Sequence, residues 1–454
     1  MYLPQFPFFL PTTRPVSVVR SLATPVLRGP RDDGIDMGDP RESGFEQGGT
    51  SMSTTPKLVG FMPWLQLDRQ VSAGGFVFVP FLDGSGAVNS PLAGLRAAFP
   101  AILSSYYDAQ ERPRRNCVVV IDQNAQNPDE AWDLSETRVE AVRWASSLLF
   151  LASWAANEYF TPVGSYVNDT SFQIYFQRFT EPVDFVSLSY RKRDGRVLYG
   201  GPRHGEIHFT MPLCADSSRF QVEADFLAGL NAADIAGSPT VESLKAVLPL
   251  VRLANTDNDG MTLDAEVALM AFALEQYFQA HKARDLAARF DALLGGYGKT
   301  TARAAQAQRA GIYADPDPRY TEAQLGWFVA KMWMVEFHQY RSAVAHGGKL
   351  SGRTWGWSPF EHLVMAAFVF PLVVKLGLAQ EGHYPLSRED EIRCRAVDAL
   401  LSQSDWANEN GSSMHTKWQS IIKEQKRAVR IAAVEKAVAD LNAKGIVSPF
   451  ETDI

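Results

Sequence analysis

The chain has 454 residues, of which 46% are apolar and 21% are charged, and its formal net charge is −7. This composition is typical of a globular protein that is long enough to form two or three domains. The acidic balance argues against coating of nucleic acid by the whole surface, so any nucleic-acid contact must be local. The cysteines are few, lie far apart without CxxC spacing, and favour a reducing cytoplasm over a disulfide framework: Cys117, Cys214 and Cys394.

Residues 1–55 carry no periodic pattern. The stretch from residue 12 onward is rich in Pro, Gly, Ser, Arg and Asp, and this composition predicts disorder. The apolar first residues lack the basic lead-in of a signal peptide. Because Met52 opens a cleaner segment, we interpret residues 1–51 as an extension, or as an artefact of the choice of start site.

Residues 56–248 predict an α+β domain with a mainly antiparallel sheet. One long amphipathic helix is expected over 133–160. An Asp-Gly hairpin turn is expected at Asp194-Gly195, and the segments 172–179 and 183–190 are expected to pair. The predicted strands cover residues 58–67, 75–82, 116–122, 172–179, 183–190, 197–199 and 206–212. No catalytic motif occurs in this part, which we expect to act as a sensor or regulatory domain.

Beyond residue 241 the composition shifts to Ala, Leu, Arg and Glu, which favours helices. We expect a helical bundle over 249–402, followed by a linker and a basic helix over 403–454. The longest apolar run, 363–378, contains Pro371 and Lys375 and therefore predicts a buried helix, not a membrane span. The predicted helices cover residues 241–254, 263–282, 283–294, 301–310, 321–345, 358–378, 389–402 and 417–444.

A polar loop follows the first of these helices. The oxygen-bearing side chains of Asn255, Asp257, Asp259 and Glu266 have the spacing of positions 1, 3, 5 and 12 of a calcium loop, and Gly260 stands at position 6. Position 1 is normally Asp, and no partner loop occurs elsewhere. A polar loop in which Thr262 or Asp264 caps the next helix explains the same residues.

The last predicted helix carries a basic stripe, which consists of Lys417, Lys423, Lys426, Arg427 and Arg430. Most such stripes are solvated faces of surface helices. The alternative is that the stripe guides an RNA strand by contacts with its phosphates.

The segment 336–348, E-F-H-Q-Y-R-S-A-V-A-H-G-G, is the main candidate for chemistry. Arg341 is a forked phosphate ligand that keeps its charge, and His346 can exchange a proton near neutral pH. The following Gly347 and Gly348 predict the C-terminus of a helix. Cations also occur at this end of a helix simply because they suit its dipole.

Helix geometry restricts how Arg341 and His346 could cooperate. Five residues of a regular helix place two side chains about 140° apart and roughly 7.5 Å apart along the axis. A site that uses both residues therefore requires the helix to end near His346, or a second copy of the motif across a two-fold axis.

The segment Y-R-S-A-V-A-H-G-G, residues 340–348, resembles the signature of HEPN domains, the R-x4–6-H ribonuclease motif, in the RS-x3-HG form of the Apea-like branch. The run 267–277, with Ala-Leu-Glu at 273–275, resembles the first helix of that family, and 283–294 resembles the second. The resemblance covers residues of about 250–400, and we identify no family for 57–248.

The resemblance implies a four-to-five-helix bundle that dimerises with its Arg–His motifs facing each other and that needs no cofactor. Active members are metal-independent endoribonucleases, often effectors of bacterial antiphage defence and abortive infection. His346 would then manage the proton of the ribose 2′-hydroxyl or of the leaving oxygen, and Arg341 would hold the scissile phosphate, giving a 2′,3′-cyclic phosphate. Neighbouring residues are candidates for support of these groups: Glu336, His338, Tyr340 and Ser342.

Two hypotheses follow from this segment. In the first, the chain is a cytoplasmic homodimeric ribonuclease whose N-terminal domain responds to a trigger, for example one derived from a phage. In the second, the bundle is a non-catalytic module for dimerisation or RNA binding, because a fold does not determine a function.

Overall fold

The structure is a computed structural model, and it describes residues 57–82, 98–108, 110–126, 135–156, 167–177, 185–192, 195–211, 219–256, 260–309, 321–347, 355–403, 406–407 and 411–444. The predicted extension of residues 1–55 lies outside the described residues. The described residues belong to one compact unit. A sheet region with mainly antiparallel pairing comes first and a mostly helical region follows, which confirms the predicted order of the two structural classes.

A five-stranded antiparallel sheet forms the centre of the N-terminal region, with the strand order β2-β3-β5-β1-β6. Two smaller sheets join β4 to β9 in parallel and β7 to β8 in an antiparallel hairpin. The strands are β1 Leu58–Met62, β2 Val71–Ala73, β3 Phe76–Leu82, β4 Tyr106–Tyr107, β5 Asn116–Asp122, β6 Tyr175–Phe176, β7 Phe185–Lys192, β8 Gly195–Arg203 and β9 Phe209–Thr210.

The central strand β5 is buried on both faces, which explains its apolar sequence. Successive side chains point to opposite faces of a strand. Val118 and Val120 therefore pack in the main core of the protein, whereas Cys117 and Val119 pack in a second core on the other face. The prediction that this segment is a buried strand is confirmed.

The helices in the described residues follow the predicted pattern closely. Six of the predicted segments agree with a helix to within a few residues at each end, and the helices over 98–103 and 224–236 were not predicted. The helices are α1 Ala98–Leu103, α2 Glu136–Ala156, α3 Ala224–Ala236, α4 Pro239–Ala254, α5 Leu263–Tyr277, α6 Ala283–Leu294, α7 Ala302–Arg309, α8 Glu322–Leu325, α9 Val329–Ala345, α10 Pro359–Gln380, α11 Arg388–Ser402 and α12 Gly411–Ala443.

The predicted pairing of 172–179 with 183–190 is wrong for the described residues. The short strand β6 lies at the edge of the central sheet and pairs with β1, whereas β7 pairs with β8. Asp194 of the predicted Asp-Gly turn lies outside the described residues. The first part of 172–179 is the end of a 3-10 helix, Asp169–Phe172, whose start is capped by Asn168. Strands that are consecutive in the sequence often pair, but β6 instead forms the edge strand of the five-stranded sheet.

Two predicted helices are shorter than expected. The segment 321–345 divides into α8 and α9, because the chain turns at Gly326 and begins a new helix after Phe328. The segment 263–282 ends at Tyr277, where Gln279 adopts a left-handed backbone conformation with φ of 49°. Both corrections concern where helices end, and neither changes which residues face the core.

One main core extends through the sheet region and the helical region. The predicted boundary between residues 248 and 249 falls within α4. The boundary marks a change in amino-acid composition. That it also separates a regulatory domain from the helical bundle stays a prediction. The apolar helix α10 is long and apolar enough by composition to cross a membrane, but 83% of its most apolar window is buried inside the molecule.

Candidate active site

The helix α9 ends where the glycine pair predicts its end. Its last residue is Ala345, and His346 is the C-cap, with φ of −101° and ψ of 12°. The amide of His346 donates to the carbonyl of Ser342 at 3.1 Å, and Gly347 adopts a left-handed conformation with φ of 62°. The side chain of His346 therefore lies at the very end of the helix and not along its regular surface.

His346 is exposed to solvent. In the part of the chain that the structure describes, its side chain makes no hydrogen bond or ion pair. An imidazole in this position is accessible to a substrate.

Arg341, in contrast, is held between two side chains of α5. Its Nη2 lies 3.1 Å from Oε2 of Glu275, and its guanidinium carbon lies 3.8 Å from the ring centroid of Phe272. The side chain of Arg341 is 17% exposed and that of Glu275 is 5% exposed. An ion pair combined with stacking fixes the plane of the guanidinium, which is the arrangement that favours arginine over lysine.

His338 lies one turn before Arg341 on the same side of α9 and reaches the same carboxylate. Its Nε2 is 3.4 Å from Oε1 of Glu275 and 3.3 Å from the carbonyl oxygen of His281. The buried carboxylate of Glu275 therefore contacts two basic side chains of α9. We refer to Glu275, His338 and Arg341 as the acid–base cluster.

The electrostatics of Glu275 are dominated by its burial. Burial raises the pKa of Glu275 above its ordinary value, although the nearby His338, Arg341 and His281 act in the opposite direction. A desolvated carboxylate is costly unless cations or hydrogen bonds compensate it. The charge of Glu275 is therefore compensated by its basic neighbours, and Glu275 in turn fixes the position of Arg341.

Arg341 and His346 are not joined by a hydrogen bond or ion pair in the described residues. Arg341 is attached to α5, whereas His346 projects from the terminus of α9. This agrees with the angular separation that helix geometry requires. One copy of the chain presents the two groups at neighbouring but separate positions.

Two of the supporting candidates stabilise the helix packing. The hydroxyl of Tyr340 donates to Asp264 at 2.5 Å, and this bond joins α9 to the first turn of α5. Glu336 is fully buried, and its carboxylate accepts a hydrogen bond from the amide of Trp357 at 2.9 Å. Ser342 is partly exposed, and its carbonyl accepts from the cap residue His346.

Only part of the predicted calcium loop lies within the described residues, so the calcium hypothesis stays a prediction. Asn255 is buried, and its side-chain amide donates to the carbonyl of Val251. Thr262 caps α5 by accepting from the amide of Ala265, as the alternative interpretation expected. Glu266 lies in the first turn of α5, and Asp257 and Asp259 lie outside the described residues. Within the described ranges, no group of three or more His, Cys, Asp or Glu side chains could hold a metal ion.

The basic stripe lies on α12. Lys426 pairs with Glu389 of α11 at 3.2 Å, and both side chains are nearly half exposed. Lys423, Arg427 and Arg430 are exposed. This exposure is compatible with both interpretations of the stripe, a solvated helix face and a surface that contacts RNA phosphates.

Sequence reasoning did not identify Glu275 and Phe272 as site residues. Glu275 stands in the Ala-Leu-Glu element on which the family resemblance rests, next to the core residue Leu274. A carboxylate that directly follows an apolar run such as 267–274 is a signal for a buried cation partner. The sequence could not show that the partner is Arg341.

Comparisons of the chain with protein-family models, with curated proteins and with solved structures found no match.

Proposed function

We propose that this protein is a metal-independent endoribonuclease whose site combines Arg341 and His346. The observation that carries the proposal is the end of α9, which carries an exposed imidazole at its C-cap and, five residues earlier, an arginine that Glu275 and Phe272 hold in a fixed orientation. An oriented guanidinium and an accessible imidazole are the groups that phosphodiester transesterification needs.

The chemistry needs no external nucleophile. The ribose 2′-hydroxyl attacks the adjacent phosphorus, the bond from phosphorus to the 5′-oxygen breaks, and the products are a 2′,3′-cyclic phosphate and a 5′-hydroxyl. His346 accepts the proton of the attacking hydroxyl or donates one to the leaving oxygen. Arg341 stabilises the charge that develops on the phosphate oxygens.

A homodimer provides what a single copy lacks. Proton removal and proton donation are two tasks, and one copy offers a single exposed histidine at the end of α9. A two-fold axis near this helix end would supply a second His346 and a second Arg341. The proposal therefore includes a composite site between two copies of the chain.

The biological setting is proposed from the resemblance to Apea-like HEPN domains alone. In that setting the protein is a cytoplasmic effector of antiphage defence or abortive infection, and residues 56–248 sense a trigger or restrain the site. The residues that support this part of the proposal are the motif 340–348 and the Ala-Leu-Glu element at 273–275.

The test compares the wild type with His346→Ala, Arg341→Ala and Arg341→Lys. Purified proteins are incubated with labelled RNA in the presence of a chelator, the 3′ ends of the products are analysed, and RNA integrity and growth are followed during phage challenge. Loss of a general acid–base group reduces cleavage by about 10²–10⁴-fold. Arg341→Lys retains a cation beside Glu275, so it separates loss of the guanidinium fork from loss of folding.

His208→Ala is the matched control, because His208 is also exposed and lies in the sheet region. Equal cleavage, or equal protection of cells, by the wild type and the His346 and Arg341 variants would refute the catalytic assignment. Cleavage that requires a divalent cation would refute the metal-independent mechanism.

The second candidate function is a non-catalytic module for dimerisation or RNA binding. The pairing of Arg341 with Glu275 favours a non-catalytic bundle, because it engages the guanidinium in the packing of α9 against α5. A purified dimer that binds RNA and cleaves none under all conditions tested would support this candidate.

A further inference from the structure

The long helix α12 consists of a packed part and a projecting part. In the first part, Trp418 and Ile421 are buried, and the ring of Trp418 lies edge-on to Trp406 with centroids 5.0 Å apart. From residue 430 to residue 444 every residue is exposed. A helix of this length extends about 21 Å, and no described residue covers it.

The projecting part of α12 carries an apolar stripe. The stripe consists of Ile431, Val434, Val438 and Leu441, whose exposed fractions are 48%, 62%, 44% and 45%. Their spacing of three, four and three residues matches positions a, d, a and d of a heptad repeat. On a solvated helix such a stripe is an unsatisfied surface, whereas in a two-stranded coiled coil it forms the seam.

The charged residues beside the stripe favour a parallel pair of two identical helices. With Ile431 at position a, Arg430 occupies position g and Glu435 occupies position e of the next heptad. In a parallel pair, position g of one helix faces the following position e of the other helix, so two symmetric Arg430–Glu435 pairs form. An antiparallel pair would instead place Glu435 beside its own copy and Arg430 beside Lys444, and both contacts are repulsive.

We propose that the apolar stripe of α12 binds the same stripe of a second copy of this chain, as a short parallel coiled coil aligned by Arg430 and Glu435. The seam spans only two heptads. The packed first part of α12 already fixes the helix, so the pair does not carry the cost of helix nucleation. Ile and Val at the a positions favour two strands.

The proposal goes beyond the proposed ribonuclease function and does not rest on it. Its test is therefore made with the full chain carrying His346→Ala and without RNA. Sedimentation equilibrium gives the dimer Kd of this protein and of versions with Arg430→Glu, Glu435→Arg or both. Each single reversal creates two repulsive pairs and is expected to weaken the dimer by about tenfold, and the double reversal is expected to restore it.

Lys436→Glu is the matched control, because Lys436 occupies the outward position f and its reversal is expected to leave the Kd unchanged. A cross-linking experiment defines the orientation. With Cys214→Ser in the background, Val438→Cys is expected to give an oxidised dimer, since a positions of parallel helices lie side by side.

Three results would overturn the proposal. The first is a double reversal that weakens the dimer as much as the sum of the single reversals. The second is the lack of a cross-link at Val438→Cys in a dimeric sample. The third is a chain that stays monomeric at all concentrations, which would mean that another segment of the chain, or a different protein, covers the stripe.

Discussion

Glu275 determines what Arg341 can do. A guanidinium that is 17% exposed and paired with a buried carboxylate keeps its orientation but has reduced charge available to a ligand. The same carboxylate holds His338, so His338 is occupied in the cluster whereas His346 is accessible. At the level of residues, His338 is engaged in the acid–base cluster, whereas His346, the acid–base group of the proposed function, is exposed to solvent.

We predict that Glu275→Gln increases the affinity of the protein for RNA. The substitution removes the negative charge that competes with phosphate for Arg341. The salt dependence of binding is expected to steepen by about one counterion, because one more cation is available to phosphate. The measurement is fluorescence anisotropy of a labelled RNA at two salt concentrations, with His346→Ala present so that the RNA stays intact.

Glu242→Gln is the control for the change in net charge, because Glu242 lies on the exposed face of α4 and is 59% exposed. An equal gain of affinity in both variants would attribute the effect to net charge and not to Arg341. An unchanged affinity in Glu275→Gln would show that Arg341 does not contact RNA.

The sequence was sufficient to locate the pair Arg341 and His346, but not to describe the surroundings of either residue. The glycines at 347 and 348 predicted the helix end, and Gly347 does adopt the left-handed conformation. The partner of Arg341 lies 66 residues earlier in the chain, and no local pattern encodes a contact over that distance. Long-range pairing is the information that a single sequence lacks.

Helix boundaries show the same limit at the scale of elements. The break between α8 and α9 is stabilised from outside, since the amide of Val329 donates to the carbonyl of Thr300 and the amide of Ala302 donates to Trp327. The end of α5 uses Gln279 where glycine is usual, so the sequence gives no stop signal. In both cases tertiary hydrogen bonds or an uncommon cap residue decide the boundary, while the apolar periodicity predicts only the helix itself.

A buried ion network joins three helices. The ammonium of Lys375 in α10 lies 2.7 Å from Glu223, the N-cap residue of α3, and 2.6 Å from Asp390 of α11. The hydroxyl of Tyr384 lies within hydrogen-bond distance of both carboxylates, 2.9 Å from Glu223 and 2.8 Å from Asp390, and donates its one proton to either of them. We predict that Lys375→Met destabilises the protein by about 3–5 kcal/mol, because it leaves the buried Asp390 and the partly buried Glu223 without their cation.

The control for that prediction is Lys426→Met. Lys426 and Glu389 form a surface pair in which both side chains are nearly half exposed, and such pairs contribute at most about 1 kcal/mol. Denaturant unfolding of both variants gives the comparison. Similar small losses in the two variants would show that the buried network does not stabilise the packing of these helices.

Asp390 gives the network a predictable dependence on pH. Burial alone would raise the pKa of Asp390, but Lys375 and the hydrogen bonds from Ser387 and Tyr384 outweigh it and lower the pKa below its ordinary value of 3.8. A carboxylate with a lowered folded pKa adds stability above its unfolded pKa, and this stability is lost as the pH falls through the folded value.

We therefore predict that Asp390→Asn is less stable than the wild type at pH 7, by about 1–3 kcal/mol. The difference should persist down to the ordinary pKa of 3.8 and shrink below it. Unfolding free energies measured in urea between pH 7 and pH 3 provide the test. A difference that stays constant, or that grows as the pH falls, would contradict the assigned role of Asp390.

At the scale of the whole molecule, the sheet region and the helical region are packed together and do not form separate bodies. The ring of Trp154 in α2 stacks on Phe370 in α10 with centroids 6.0 Å apart. The guanidinium of Arg393 in α11 donates to the carbonyl of Ala155 in α2 at 2.9 Å. These contacts couple the sheet region, which has no assigned chemistry, to the helices that carry the candidate site.

This coupling predicts one cooperative unfolding transition for the described part of the chain. Amides of β5 and of α10 are expected to exchange hydrogen with the same free energy of opening, since neither region keeps its core when the other unfolds. Trp154→Ala removes a buried ring at the junction and should lower both values together, by about 3–5 kcal/mol. Ile235→Ala, at a side chain that is 90% exposed, should change neither.

If Trp154→Ala lowers protection in α10 while β5 stays protected, the two regions are independent folding units, and the sheet region could then influence the site only through a movable interface. If both fall together, any ligand that stabilises the sheet region also stabilises the helices around Arg341, and the two regions are linked through the stability of their shared core.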